Sequence, residues 1–266
     1  MAIKGSLKIF RPVKVNELKR LGNKYDGGYV VDRASLHDAD YLVNYGVGYN
    51  TAFEEDFFQE TGLPTLAFDP TMIGWKPIIE KFKTFHLNTI LRQLKNSVFW
   101  SFKAKKLKDF KIKFIETGLS EKDSKDYKTL AFHYKNYDLF DKKIILKIDI
   151  EGAEYSIFND PITYDLIPNA IQILLEVHYV EQNIENLMEI ISRISTTHTV
   201  IHIHANNHSG TFRYNNKDVP RTMEITFILN EYVKQGDYVD WEYPILGLDS
   251  PCYRLAEDIK LDFFYD

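Results

Sequence analysis

Seven short apolar runs punctuate the chain, at 40–45, 65–68, 112–115, 143–150, 170–177, 199–204 and 223–229. The first five are apolar on both faces and partly β-branched or aromatic, as expected of strands covered by helices on both sides of a parallel sheet. The last follows the sixth closely, after Pro220 and Arg221, which predicts an antiparallel partner. Between the first two runs, Phe53, Phe57 and Phe58 recur at helical spacing, predicting a crossover helix over 52–61. Ile184, Leu187, Met188, Ile191 and Ile194 predict a second helix over 180–195. Alternation of this kind predicts a doubly wound α/β sheet.

The stretch 71–110 is longer than a crossover requires and is aromatic over 75–100, so it reads as a helical insert forming a lid or a subunit contact. Lys103, Lys105, Lys106, Lys108, Lys111 and Lys113 then supply either a solvated helix face or an anchor for substrate phosphates. Residues 1–39 form an N-terminal cap ahead of a domain over 40–266. Asp26, Gly27, Gly28 and Tyr29 mark a turn there, followed by apolar Val30 and Val31, which suggests a short hairpin.

Composition narrows the function classes. Thirty-three Lys and Arg against 38 Asp and Glu leave a formal charge of −5, too weak a field to make nucleic acid or an anionic membrane the main partner. A single cysteine, Cys252, cannot form an internal disulfide, and no apolar stretch has the length of a membrane span or the flanks of a signal peptide. The expected compartment is a reducing cytoplasm.

Candidate chemistry gathers at strand ends. After the first run, Gly46, Val47 and Gly48 form a strand-to-helix turn that permits positive φ and close approach of a ligand. Thr51 stands where a dinucleotide fingerprint would carry its third glycine, which argues against a pyrophosphate ligand. Asp69, at the end of the next run, can accept from a ribose diol or cap a following helix. The fourth run ends in Asp149 and Glu151, which share one face if the strand persists that far. The fifth ends in Glu176 and His178, and the sixth in His202, His204 and Asn206. Three strand ends carrying carboxylate, imidazole and amide groups predict a cleft at the carboxyl edge of the sheet, although any one strand histidine can equally be a satisfied core residue.

Taken together, the motifs resemble the FkbM-type S-adenosylmethionine-dependent methyltransferases, many of which methylate sugar hydroxyls. The matching pieces are DGGYVV at 26–31, NYGVGYNTAFEEDF at 44–57, AFDP at 67–70, ETGLS at 116–120, LKIDIEGAEY at 146–155, LLEVHY at 174–179, HIHANN at 202–207 and MEITF at 223–227. They span almost the whole chain, and LKIDIEGAEY is the most specific. The resemblance implies a class I, Rossmann-like methyltransferase sheet of seven strands, the last antiparallel. It implies that Gly46 and Gly48 cradle the amino-acid part of S-adenosylmethionine, that Asp69 binds its ribose, that Leu119 and Ser120 flank the adenine and that Asp149 stands near the sulfonium. Asp26, Asn44 and Tyr45 complete the cofactor set.

The expected acceptor is a small molecule or nucleotide sugar of capsule or other polysaccharide biosynthesis. Its hydroxyl needs a base, for which His178 or His204 is suited, with Glu176 orienting. Alternatively, Asp149, Glu176 and His204, with His178 and Asn206 nearby, could hold magnesium or manganese to lower the acceptor's pKa. Two other readings remain at this stage, an NAD-dependent nucleotide-sugar enzyme and a catalytically silent binding module. Oligomeric state is left open.

Overall fold

Each apolar run becomes a strand, and the hairpin signal becomes a hairpin. The computed structural model describes residues 6–48, 50–71 and 108–265. It opens with β1 (Leu18–Gly22) and β2 (Gly28–Asp32), an antiparallel pair. Then come β3 (Tyr41–Tyr45), α1 (Ala52–Thr61), β4 (Thr65–Phe68), β5 (Ile112–Ile115), the short pair β6 (Gly118–Leu119) and β7 (Tyr127–Lys128), and α2 (Leu130–Asn136). The second half holds β8 (Ile144–Ile148), α3 (Glu154–Asn159), α4 (Pro161–Leu166), β9 (Ala170–Val177), α5 (Val180–Ile194), β10 (His198–Ala205), the hairpin β11 (Thr211–Tyr214) with β12 (Lys217–Pro220), and β13 (Met223–Leu229). The predicted insert and Lys103, Lys105 and Lys106 lie outside the described residues.

Among the described residues, seven strands form one mixed sheet in the order β10, β13, β9, β8, β3, β4, β5. β13 is inserted antiparallel between β9 and β10, and the β3, β4, β5, β8 and β9 pairings are parallel. This is the seven-stranded α/β sheet with an antiparallel last strand that the resemblance implies. The chain leaves β3 toward β4 and β5 in one direction, then returns to lay β8 and β9 on the other side. The β3/β8 boundary is therefore where crossovers diverge and open a crevice at the carboxyl ends of the strands.

Alternation along each strand divides two cores. Val43, Tyr45, Leu146, Ile148, Ile173 and Leu175 pack on one face, while Leu42, Ile145 and Leu174 meet Tyr29, Val31, Phe53 and Phe57 on the other. The N-terminal hairpin is fixed to that second face by polar side chains as well. The amide of Gln172 donates to the Asp32 carbonyl and accepts from its N–H, and Thr226 donates to the Val30 carbonyl. Such bonds satisfy buried backbone groups that the hairpin's own ladder leaves free. They also hold the β1/β2 turn over the crevice.

Candidate functional site

Two cavities meet at the carboxyl rim. The first, of about 500 Å³, lies over the β3/β8 boundary and is lined by the 46–48 turn, Asp69, Pro70, Gly118, Leu119 and Tyr127, with Asn44, Lys147 and Asp149 at its base. The second, of about 460 Å³, lies toward β9 and β10 and is lined by Glu176, His178, Asn206, His208, Cys252 and Tyr253 among others. Asp26, Asp149 and Glu151 line both, and so form the passage between them.

The first cavity is shaped largely by main chain. Gly46 has φ +83°, and a Cβ there would stand 1.6 Å from the Asp149 carbonyl oxygen, so this position requires glycine for both conformation and contact. The Asp69 carboxylate accepts from the Gly48 N–H at 2.7 Å and, through its other oxygen, from the N–H and hydroxyl of Thr71 at 2.7 and 2.6 Å. It thereby ties the glycine turn to the end of β4, and Oδ2 keeps a lone pair for a further donor.

Of the predicted cofactor residues, Asp26, Asn44, Gly46, Gly48, Asp69, Leu119 and Asp149 line this cavity. Tyr45 and Ser120 do not. Strand alternation turns Tyr45 to the opposite core, where its ring stacks on Phe68 at 4.8 Å. Ser120 turns outward and donates to the Lys122 carbonyl.

The EGAE segment is explained by its second glutamate. β8 ends at Ile148, so Asp149 and Glu151 do not share a strand face as expected. Glu154, buried, accepts from the N–H groups of Ile150 and Gly152 and folds the chain into a tight turn. Within it Glu151 takes φ +57° and Gly152 φ +105°, and a Cβ on Gly152 would fall 2.7 Å from the Tyr179 ring. The turn, rather than the strand, brings Asp149 and Glu151 together with His178, their donor atoms within 4.8 Å of one another.

The charged centre contains two residues that strand-end reasoning passes over. Lys147, almost wholly buried, approaches Asp149 at 3.4 Å and sits 4.2 Å from the centre of the Tyr29 ring. Tyr29, carried in by the hairpin, places its hydroxyl 2.8 Å from both Asp149 Oδ2 and Glu176 Oε2. One hydroxyl proton cannot serve two carboxylates, so one of the acids must bring its own. Burial, with the charges of Asp149 and Glu224, pushes Glu176 up to about 8. Its raised affinity for a proton makes Glu176 the acid better suited to donate to the tyrosine oxygen, leaving the Tyr29 hydroxyl to Asp149. A lone lysine in an apolar strand (IILKIDI) was the available signal for Lys147; nothing local announces Tyr29.

His178 and His204 differ from expectation. Burial lowers the pKa of His178, but the hydrogen bond and charge of Glu154 on Nδ1 at 3.0 Å, helped by Glu176 and Asp149, outweigh it and raise the group to about 9. The imidazole therefore rests charged and cannot accept a proton in that state. His204 is fully buried between Glu224 on Nδ1 and Asp258 on Nε2, and those carboxylates overcome burial to hold it protonated. It does not line the second cavity. The predicted metal set is accordingly divided: Asp149 and Glu176 meet at Tyr29, whereas His204 belongs with Glu224 and Cys252.

Lys111 and Lys113 are also placed differently from a phosphate anchor. Lys111 donates to the Gly62 carbonyl before β5 begins, at the amino edge of the sheet, and Lys113 packs its ammonium over the Tyr137 ring. Neither lines either cavity.

No family model and no curated protein matches the chain. Among solved structures it is similar to a Clostridium thermocellum protein provisionally described as an rRNA methylase, with 14% identity and a TM-score of 0.35, over 74% of this chain and 92% of that one. Among the described residues, no helix is long and apolar enough to cross a membrane.

Proposed function

We propose that the chain is an S-adenosylmethionine-dependent O-methyltransferase of the FkbM type, with a class I methyltransferase sheet, acting on a hydroxyl of a sugar. The observation that carries this reading is the pair of adjoining cavities whose shared wall is Asp26, Asp149 and Glu151. A donor and an acceptor can each occupy one and meet at a carboxylate.

The first cavity suits the donor in size and in chemistry. Nucleoside-sized ligands occupy cavities of roughly 300–1,000 Å³, and this one offers a glycine turn, a carboxylate at the end of β4 and the apolar Leu119. Gly46 and Gly48 would hold the amino-acid portion, Asp69 the ribose diol and Leu119 the adenine. When bound, the donor supplies an activated methyl group on a positively charged sulfur.

This chain's residues then chiefly hold the reacting atoms in line. Asp149, at the passage, would accept the proton that the acceptor hydroxyl gives up on methylation. Tyr29 fixes the carboxylate by donating to it, and Lys147 balances its charge. His178 and Glu176, which line the second cavity and are both shifted upward, would position acceptor oxygens by hydrogen bonds.

Calorimetric titration with S-adenosylmethionine and with NAD decides between the methyltransferase and oxidoreductase readings. The first should bind with one-to-one stoichiometry and the second not at all. Asp69→Ala should weaken donor binding by roughly tenfold to a hundredfold, the loss of about 1–3 kcal/mol of charge-assisted hydrogen bonding. An unchanged dissociation constant contradicts the assignment. A screen of free and nucleotide-activated sugars for a gain of one methyl group by mass tests the acceptor class, and absence of turnover with all of them favours a silent binding module.

A further inference from the structure

Behind the second cavity, a buried cluster has the form of a metal centre. His204 and Glu224 are register partners at the ends of β10 and β13, and the C-terminal segment brings Cys252 and Asp258 against them. His204 Nδ1 lies 3.4 Å from Glu224 Oε2, and Cys252 Sγ lies 3.7 Å from Glu224 Oε1. Nitrogen, sulfur and carboxylate donors of the three buried residues all lie within 4.8 Å of one another.

Zinc bonds of about 2.0–2.3 Å in a tetrahedron give edges of about 3.3–3.8 Å between donor atoms. The two measured separations fall in that range, each to a different oxygen of Glu224, so rotation of the carboxylate brings one oxygen to both partners. The remaining ring nitrogen, His204 Nε2, faces Asp258 Oδ2 at 3.0 Å. A carboxylate on the far nitrogen of a ligating histidine is the partner that fixes its ring and raises its basicity. A divalent ion would offset the charges of the Cys252 thiolate and the Glu224 carboxylate, with Asp258 held on the imidazole.

We propose that His204, Glu224 and Cys252 bind a single divalent ion of the zinc class, with Asp258 orienting the imidazole. The mixed thiolate, imidazole and carboxylate set selects a borderline ion over magnesium or manganese. Cys252 also lines the second cavity beside Glu176. Three protein ligands leave a fourth position, the arrangement of zinc sites that bind an exchangeable ligand. Loading requires the thiolate of Cys252 and a free Nδ1 on His204, so it releases protons to solvent. The inference is independent of the methyltransferase reading, since none of its ligands lines the first cavity.

The test is titration of metal-free full-length protein with Co²⁺ and then Zn²⁺. We expect one ion per chain, a thiolate-to-cobalt charge-transfer band, and loss of that band when Zn²⁺ displaces Co²⁺. Cys252→Ser should abolish the band, and Asp258→Asn should weaken affinity by about tenfold to a hundredfold. Asp149→Asn and Glu151→Gln should leave stoichiometry unchanged. Absence of binding, a bound ion without the thiolate band, or binding that follows Asp149 and Glu151 would overturn the proposal. Should Cys252→Ser not fold, the band in the unaltered protein decides alone.

Discussion

The two cavities at the carboxyl rim are built by different means. The first is organised by backbone: a turn with two positive-φ glycines, a carboxylate that secures the turn, and apolar side chains such as Leu119 and Val47. The second is made largely from titratable side chains that β9, the segments following β8, β9 and β10, the hairpin turn and the C-terminal segment bring together. A site made from backbone is unforgiving of shape and tolerant of pH, whereas a site made from crowded acids and imidazoles responds to pH and to the loss of single hydrogen bonds.

The largest effect expected from this contrast is at Gly46. Gly46→Ala must displace the Asp149 carbonyl from 1.6 Å and hold alanine at φ +83°. We expect a stability loss of about 3 kcal/mol or more and no measurable donor binding, read by denaturant unfolding and calorimetry. Gly48 sharpens the point, because a Cβ there meets nothing within 4 Å. Gly48→Ala should cost only about 1–2 kcal/mol for the left-handed conformation.

Tyr29→Phe comes next. It removes the hydroxyl bridging Asp149 and Glu176 while keeping the ring over Lys147. Turnover should fall by a factor corresponding to about 1–3 kcal/mol, with the donor dissociation constant changed little. A proportional loss of donor affinity would show that the two cavities are not separable.

The smallest effect is a gradual one, the pH dependence of thermal stability. Glu176 is raised in the fold from 4.5 to about 8, and His178 from 6.5 to about 9. Each binds its proton more tightly folded than unfolded, so the stability each contributes is complete below its ordinary value and is lost as pH rises through the raised one. His133 and His198, lowered by burial to about 4, act on the other side, losing stability as pH falls from 6.5 toward 4. The melting temperature should therefore decline on both flanks. Glu176→Gln should flatten the alkaline flank, and an unaltered flank would contradict the upward shift of Glu176.

His198 and His204, on one strand, show why the sequence was readable to different depths. His198 meets the Ala170 carbonyl at 2.7 Å and the Thr197 hydroxyl at 2.8 Å, a neutral and satisfied core residue. His204, six positions later, lies between two acids. Both sit in β-branched surroundings, and no local pattern separates them. In contrast, the Phe53, Phe57 and Phe58 spacing marked α1 directly, because a helix buries one face of a periodic pattern whatever it packs against.

Strand positions, the two long described helices and the glycine turn follow from the sequence, since periodic burial and positive φ constrain residue type locally. Asp69 and the carboxyl-rim acids were likewise legible as polar ends of apolar strands. Which acids share a proton, which imidazole faces a cleft and which is enclosed, and that Tyr29 joins Asp149 to Glu176 were decided by tertiary structure. Those outcomes depend on distances between residues as much as 147 positions apart, and charge, unlike hydrophobic periodicity, has meaning only once its neighbours and its exposure to water are set.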